Sequence, residues 1–101
     1  MPDFTAYAAD SYEVKENGVH SLTFRDGFKR YFSAAWTGPK GSTPAGTIAF
    51  TFDGNPGDPP AIMDLGVDPP ENAFDWNTRV PKVEVEVTGL PDGGRITLYF
   101  A

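Results

Sequence analysis

Residues Lys82–Thr88 read KVEVEVT, the most regular alternation of apolar and polar side chains in this 101-residue chain. Successive side chains of a β-strand point to opposite faces, so the pattern puts the three valines on one face and the two glutamates on the other. We therefore predict a strand that buries its valines in a core and presents its glutamates to solvent.

The same alternation occurs on both sides of this segment. The turn-forming stretch GLPDGG separates it from Arg95–Phe100, RITLYF, whose apolar residues again occupy every second position. Upstream, Thr47–Phe52, TIAFTF, has the same period. We predict three strands here, and we expect the last two to pair as a hairpin across GLPDGG.

The N-terminal part of the chain predicts further strands. Tyr12–Glu16 and Val19–Arg25 flank the dipeptide Asn17-Gly18, which suits the positive φ angles of a tight type I′ turn. These two segments therefore predict a β-hairpin. Phe4–Ala8 alternates more weakly and predicts a first strand.

The segment Phe28–Trp36, FKRYFSAAW, has two interpretations. After the neighbouring turn signals it continues a meander as a strand, which is the interpretation we favour. The alternative is a short helix, because the i, i+3, i+4, i+7 spacing of a helical face is also present. The residues with that spacing are Phe28, Tyr31, Phe32 and Ala35.

The whole sequence contains 11 glycines and 10 prolines, and these residues interrupt the segments between the predicted strands. Long loops are expected at Thr37–Gly46 and Asp53–Asn72, the second with a short strand near Ala61–Val67. An extended segment, Ala73–Thr78, should place Phe74 and Trp76 on one side. Eight Phe, four Tyr and two Trp are too many for a disordered chain.

These patterns predict the fold class. We expect an all-β protein, a single small antiparallel β-sandwich or barrel of six to eight short strands with long Pro/Gly loops. Strands do not alternate with helices, so a parallel sheet is not expected. Residues 1–101 should form a single β-sandwich domain, since a chain of this length matches one domain.

The charge and the cysteine content argue against several classes of function. A formal net charge of −6 disfavours nucleic acid and anionic membranes as partners. The chain has no cysteine and one histidine, which leaves no disulfide, no thiolate metal site and no multi-histidine zinc site within the chain. We expect no cofactor.

The charges are unevenly distributed along the chain. Residues 11–40 carry five Lys or Arg and three acids, whereas residues 41–78 carry six acids and no base. The six acids are Asp53, Asp58, Asp64, Asp68, Glu71 and Asp75. This acidic stretch is the clearest functional signal of the sequence.

Calcium binding is one interpretation of the acidic stretch. Between Asp53 and Asp58, the sequence DGNPGD offers oxygen ligands at positions 1, 3 and 6. It does not match an EF-hand loop, which has glycine at position 6 and glutamate at position 12, where Asp58 and Asp64 stand. The simpler interpretation is that these residues form turns.

Carbohydrate binding and catalysis are further alternatives. Flat aromatic rings could form a sugar platform, although in a small sandwich such rings also serve as core. The residues considered for it are Trp36, Trp76, Tyr7, Tyr12 and Tyr31. Paired carboxylates could serve acid–base chemistry, but nothing in the sequence makes any two converge. His20 is more consistent with an exposed or hydrogen-bonded strand residue than with a base.

The interpretation we favour is assembly. Proline-rich loops lose little entropy on ordering, and complementary charge fixes the register of an interface. We expect a non-enzymatic accessory or decoration subunit of a larger assembly such as a virus or phage particle. Its partner would be protein, either copies of itself or a larger lattice subunit. The alternative is a calcium- or carbohydrate-binding β-sandwich module.

The location follows from the partner. It is the virion if the assembly interpretation holds, and otherwise the cytoplasm or the extracellular space. The residues expected to contact the partner are Arg25, Lys29, Arg30, Asp53, Asp58, Asp64, Asp68, Trp36 and Trp76.

Overall fold

Strands make up most of the chain in the computed structural model, which describes residues 3–25, 27–52, 61–67 and 71–101. These residues form nine strands and no helix. The strands are β1 Asp3–Ala8, β2 Ser11–Val14, β3 Gly18–Phe24, β4 Lys29–Thr37, β5 Thr47–Phe52, β6 Ala61–Asp64, β7 Ala73–Val80, β8 Lys82–Thr88 and β9 Arg95–Phe100.

The strands form two sheets that pack face to face. One sheet has the order β1-β3-β8-β5-β6 and the other has the order β2-β9-β4-β7. The predicted all-β sandwich is therefore confirmed, with nine described strands rather than six to eight. The segment Phe28–Trp36 is a strand, β4, and not a helix. None of the described residues belongs to a helix that could cross a membrane.

The core lies between the two sheets, and Phe32 of β4 is at its centre. Its ring centroid is 5.2–6.3 Å from those of five other phenylalanines. Three of them, Phe24, Phe50 and Phe52, belong to the five-stranded sheet. The other two, Phe74 and Phe100, belong to the four-stranded sheet. Each fully buried apolar side chain stabilises the fold by about 1.5–3 kcal/mol, so this cluster is a large part of the stability.

Strand β8 lies at the centre of the five-stranded sheet and follows the predicted pattern. Val83, Val85 and Val87 are at most 3% exposed, while Glu84 and Glu86 are exposed. The prediction of an inward valine face is confirmed. Strands β3 and β5 pair with the two edges of β8, and the four-stranded sheet covers its apolar face.

Both predicted hairpins are wrong. Strand β2 pairs with β9, and β3 pairs with β8, so Asn17-Gly18 connects the two sheets instead of turning within one. The stretch GLPDGG likewise leads from β8 to β9 in the opposite sheet. β4 also lies in the sheet opposite β3, so it does not continue a meander.

The side chain of Asn17 explains how these two connections are held. Its Nδ2 donates to the Leu90 carbonyl oxygen at 2.9 Å, and the Leu90 N–H donates to its Oδ1 at 2.8 Å. The amide thus completes both backbone hydrogen bonds of Leu90, which is 7% exposed. Gly18, at φ 143°, provides backbone freedom for the crossing rather than a hairpin turn. We call this pair of bonds the Asn17 clasp.

One pair of neighbouring strands departs from the antiparallel pattern. Strands β1 and β3 are parallel neighbours, with Phe4 opposite His20 and Ala8 opposite Phe24. Parallel neighbours need a connection that returns the chain to its starting end. Here β2 makes that return within the other sheet, so no helix is required.

The first prediction concerns the centre of β8. Val85→Asp should destabilise the fold by roughly 3 kcal/mol or more, because it buries an unpaired carboxylate at a position with no exposure. Circular dichroism with urea denaturation measures this. Thr23→Asp is the matched control, since Thr23 is exposed and lies opposite Lys82. Equal stability of the two variants would contradict the inward placement of Val85.

The second prediction concerns the Asn17 clasp. Asn17→Ala should lower the free energy of unfolding by about 1–3 kcal/mol, because both backbone polar groups of buried Leu90 lose their partner. Urea denaturation followed by tryptophan fluorescence measures the loss. Lys15→Ala, in the same connection and exposed, should change it by less than about 0.5 kcal/mol. If both variants unfold at the same urea concentration, the clasp contributes nothing.

Candidate binding surfaces

A β-bulge interrupts strand β4 at Arg30. The backbone N–H groups of Arg30 and Tyr31 both donate to the Ala101 carbonyl oxygen, at 2.8 and 2.9 Å. The register against β7 also shifts between Lys29 and Tyr31. A bulge of this kind breaks the alternation of faces and redirects a side chain. Arg30 and Tyr31 therefore share the outer face of the four-stranded sheet.

Arg30 is held on this face by two contacts. Its Nε and Nη2 donate to Oδ1 and Oδ2 of Asp75 at 2.9 and 2.8 Å, a bidentate ion pair. Its Cζ is 4.9 Å from the centre of the Tyr31 ring. The hydrogen bonds to Asp75 raise the pKa of Arg30 and outweigh the effect of desolvation. The pair presents a planar, orientated polar group beside an aromatic ring.

Next to this ion pair is a shallow groove of about 350 Å³. Tyr31 and Tyr99, 46% and 49% exposed, contribute its aromatic rings. Ser33 lies directly opposite Tyr99 on one side and Ala73 on the other, so small residues separate the rings. The surface is concave because the large rings of Tyr31 and Tyr99 rise beside the small side chains of Ser33 and Ala73. We call this surface, together with Arg30 and Asp75, the tyrosine groove.

The outer face of the other sheet carries more acidic than basic side chains, the basic ones being Lys82 and Arg25. Glu84 and Glu86 project outward from β8, and Asp3 is aligned with Glu86 through Val19 of the intervening strand. Asp64 ends β6 at the sheet edge, and an isolated bridge places Glu71 beside it. We call these five carboxylates the acidic face.

The basic residues predicted to contact a partner do not form one patch. Arg25 lies with its Cζ 6.0 Å from the centre of the Tyr7 ring, on the side of the five-stranded sheet. Arg30 lies on the opposite side, in the tyrosine groove. Lys29 forms an ion pair with Asp10, with Nζ 3.2 Å from Oδ1. Two of the three positive charges are thus neutralised within the chain.

The two tryptophans face inward at opposite ends of the four-stranded sheet. Trp76 stacks on Phe52 with ring centroids 4.0 Å apart, and its buried Nε1 has no hydrogen-bond partner within the described ranges. A Cβ on Gly38 or Gly94 would lie 2.6 or 2.3 Å from Trp36 ring atoms, so two loops cover that ring. The tryptophans pack against the core and share no common platform.

His20 is a buried strand residue with both ring nitrogens occupied. It is 3% exposed, and its Nε2 lies 3.0 Å from the Glu16 carbonyl oxygen, so this nitrogen carries the proton. The Tyr12 hydroxyl then donates to Nδ1 at 2.9 Å. Burial raises the pKa of Tyr12, which keeps that donor protonated. Phe4 stacks on the imidazole at 4.5 Å, so His20 links β1, β2 and β3.

The acidic loop residues have different outcomes. Asp64 is described, and its Oδ1 accepts a hydrogen bond from the Gly66 N–H at 2.9 Å, which is a turn contact. Asp53, Asp58 and Asp68, and with them the candidate calcium ligands, lie outside the described residues. Within the described ranges, no three acidic or histidine side chains are close enough together to hold a metal ion.

Sequence reasoning missed most of the tyrosine groove. Arg30 was predicted as a contact residue and Tyr31 as an aromatic candidate, but their pairing depends on the bulge. The bulge depends on Ala101, which lies 70 positions further along the chain. One local signal is present: Tyr99 alternates with the buried Leu98 and Phe100 in RITLYF, so the pattern places its ring on the outer face.

Comparisons with known proteins bear on the fold. No protein-family model matches the sequence, and no curated protein matches it either. Among solved structures, the pre-peptidase C-terminal domain of a collagenase from Bacillus anthracis is 12% identical, with a TM-score of 0.58 over 100% of this chain and 98% of that one. A chain from the acid-stable capsid structure of a Helicobacter pylori bacteriophage is 21% identical, with a TM-score of 0.46 over 91% of this chain and 85% of that one. The collagenase domain is similar in fold, and the likeness goes no further.

Proposed function

We propose that this chain is a non-enzymatic interaction module, an accessory or decoration subunit that docks onto a larger protein assembly such as a virus or phage particle. The observation that supports this proposal is the acidic face. It places five carboxylates on the outer side of the five-stranded sheet, which also carries Lys82 and Arg25, whereas the opposite side carries an internally neutralised ion pair. The structural likenesses contribute nothing to the choice of partner.

The carboxylates of the acidic face are close enough to interact. Glu84 and Glu86 are two residues apart on β8, which separates their Cα atoms by about 6.6 Å. Asp3 is two strands away from Glu86, or about 10 Å. Among the described residues, none of these three carboxylates forms an ion pair. Their mutual repulsion is relieved when a positively charged surface covers them.

This repulsion also selects the partner. Two copies of the chain that met through their acidic faces would bring like charges together, which is unfavourable. A different subunit with a basic patch is attracted to these carboxylates and is steered to them before contact. We therefore favour a larger lattice subunit over copies of the chain itself as the partner of this face.

The residues between the carboxylates favour close docking. Ser21 and Thr51 flank Glu84 on the neighbouring strands, and Val19 and Ala49 flank Glu86. All four side chains are short, so the glutamates project beyond them. A partner surface can reach the carboxylates without displacing other groups.

The third prediction tests this function by charge reversal. The tagged chain, expressed in its native cells, should sediment with a large assembly at low salt and be released at about 0.5 M sodium chloride, where screening is strong. Glu84→Lys combined with Glu86→Lys should abolish co-sedimentation. The matched control, Glu13→Lys with Glu16→Lys, makes the same charge change away from the acidic face and should retain it.

Two results would contradict the proposal. One is a chain that sediments as a strict monomer in the native extract under all salt conditions. The other is a Glu84/Glu86 variant that co-sediments as well as the control variant does. Circular dichroism of both variants checks that they fold, since all four glutamates lie on strand faces or connections rather than in the core.

A further inference from the structure

We propose that the tyrosine groove is a carbohydrate-binding site that takes a neutral sugar ring. It lies on the sheet opposite the acidic face and so goes beyond the docking function. The proposal is carried by three features together: two half-exposed tyrosine rings, a concave floor of small residues, and a bidentate ion pair beside one of the rings.

The aromatic part of the groove suits the apolar side of a sugar. A pyranose ring presents axial C–H groups on a face that stacks on a flat aromatic ring. The rings of Tyr31 and Tyr99 are 46% and 49% exposed, and Ser33 and Ala73 leave space between and beside them. A tyrosine has two side-chain torsions to immobilise, so little entropy is lost when a ligand stacks on it.

The polar part of the groove suits the hydroxyl edge of the same sugar. Arg30 has five side-chain N–H donors and uses two of them on Asp75. The guanidinium lies over one face of the Tyr31 ring, with Cζ 4.9 Å from the ring centre. The three donors that Asp75 does not use are available to the hydroxyl groups of a sugar that stacks on the other face of this ring and extends past its edge. Asp75 fixes the guanidinium plane and acts as a positioning residue.

Charge and size favour a sugar over other occupants. Asp75 compensates the positive charge of Arg30, so an anionic ligand such as a phosphate would meet a carboxylate as well as a guanidinium. The volume of about 350 Å³ is at the lower end of the range for small-ligand sites. A protein partner would need roughly 800 Å² of contact surface, most of it outside the groove.

The β-bulge gives the site its rigidity. Two backbone hydrogen bonds from consecutive residues to Ala101 hold Arg30 and Tyr31 on the same face before any ligand arrives. Preorganisation of this kind reduces the entropy lost on binding. A shallow site that contacts one or two sugar rings should bind with a dissociation constant of about 1 mM or tighter.

The fourth prediction tests the groove by NMR. The ¹⁵N-labelled chain is titrated with cellotriose, chitotriose, maltotriose, mannotriose and lactose, each up to about 20 mM, which covers weak binding. At least one sugar should shift the amide signals of Tyr31, Ser33, Ala73 and Tyr99. Tyr31→Ala should weaken that binding at least about tenfold, as expected from the loss of a stacking ring.

The chain contains a matched control for this variant. Tyr7 is also an exposed tyrosine beside an arginine, with Arg25 Cζ 6.0 Å from its ring, but it lies on the other sheet. Tyr7→Ala should leave sugar binding unchanged. Asp75→Asn should weaken binding while the other amide signals stay in place, because it loosens Arg30 without removing a ring.

The results separate this proposal from the docking function. Sugar binding should persist at about 0.5 M sodium chloride, since the ligand is neutral, whereas docking through the acidic face should not. The proposal is overturned if no sugar shifts the groove signals. It is equally overturned if the shifts map to the acidic face or to the tryptophans, or if Tyr7→Ala and Tyr31→Ala have the same effect. None of these outcomes changes the expectation for Glu84 and Glu86.

Discussion

The packing of Phe32 against phenylalanines from both sheets is the interaction on which the rest of the structure depends. Its ring contacts Phe50 and Phe52 across the sandwich and Phe74 and Phe100 within its own sheet. This packing fixes the orientation of β4. With Phe32 inward, Tyr31 must point outward, and the bulge one step earlier adds Arg30 to the same side. One face of β4 thus contributes to the core and its other face to the tyrosine groove.

The elements of the fold were predictable because alternation is a local property. KVEVEVT and TIAFTF show their buried faces directly, and the structure buries the valines of the first and Ile48, Phe50 and Phe52 of the second. The pairing was not predictable, because a strand with one apolar face fits beside many neighbours. Asn17-Gly18 resembles a hairpin turn locally, but its amide makes hydrogen bonds with Leu90, 73 residues away.

The candidate surfaces were likewise predictable only where they depend on local alternation and not on which strands are neighbours. Glu84 and Glu86 could be placed outward from sequence alone, since they alternate with buried valines. Arg25 is close to Lys29 and Arg30 in sequence yet lies on the other side of the molecule, because β3 and β4 belong to opposite sheets. The tyrosine groove could not be predicted, because it depends on the β-bulge in β4, which no local sequence pattern indicates. Trp36 was predicted as a contact residue, but Gly38 and Gly94 allow two loops, far apart in sequence, to pack over its ring.

The Asn17 clasp has a consequence for folding kinetics. It joins residues 73 positions apart, so closing that loop before the sheets have assembled would be entropically unfavourable. The clasp should therefore be absent from the folding transition state and form late. Contacts made after the transition state slow unfolding and leave the folding rate almost unchanged. A single asparagine side chain is thus placed where it prolongs the lifetime of the native sandwich rather than guiding its formation.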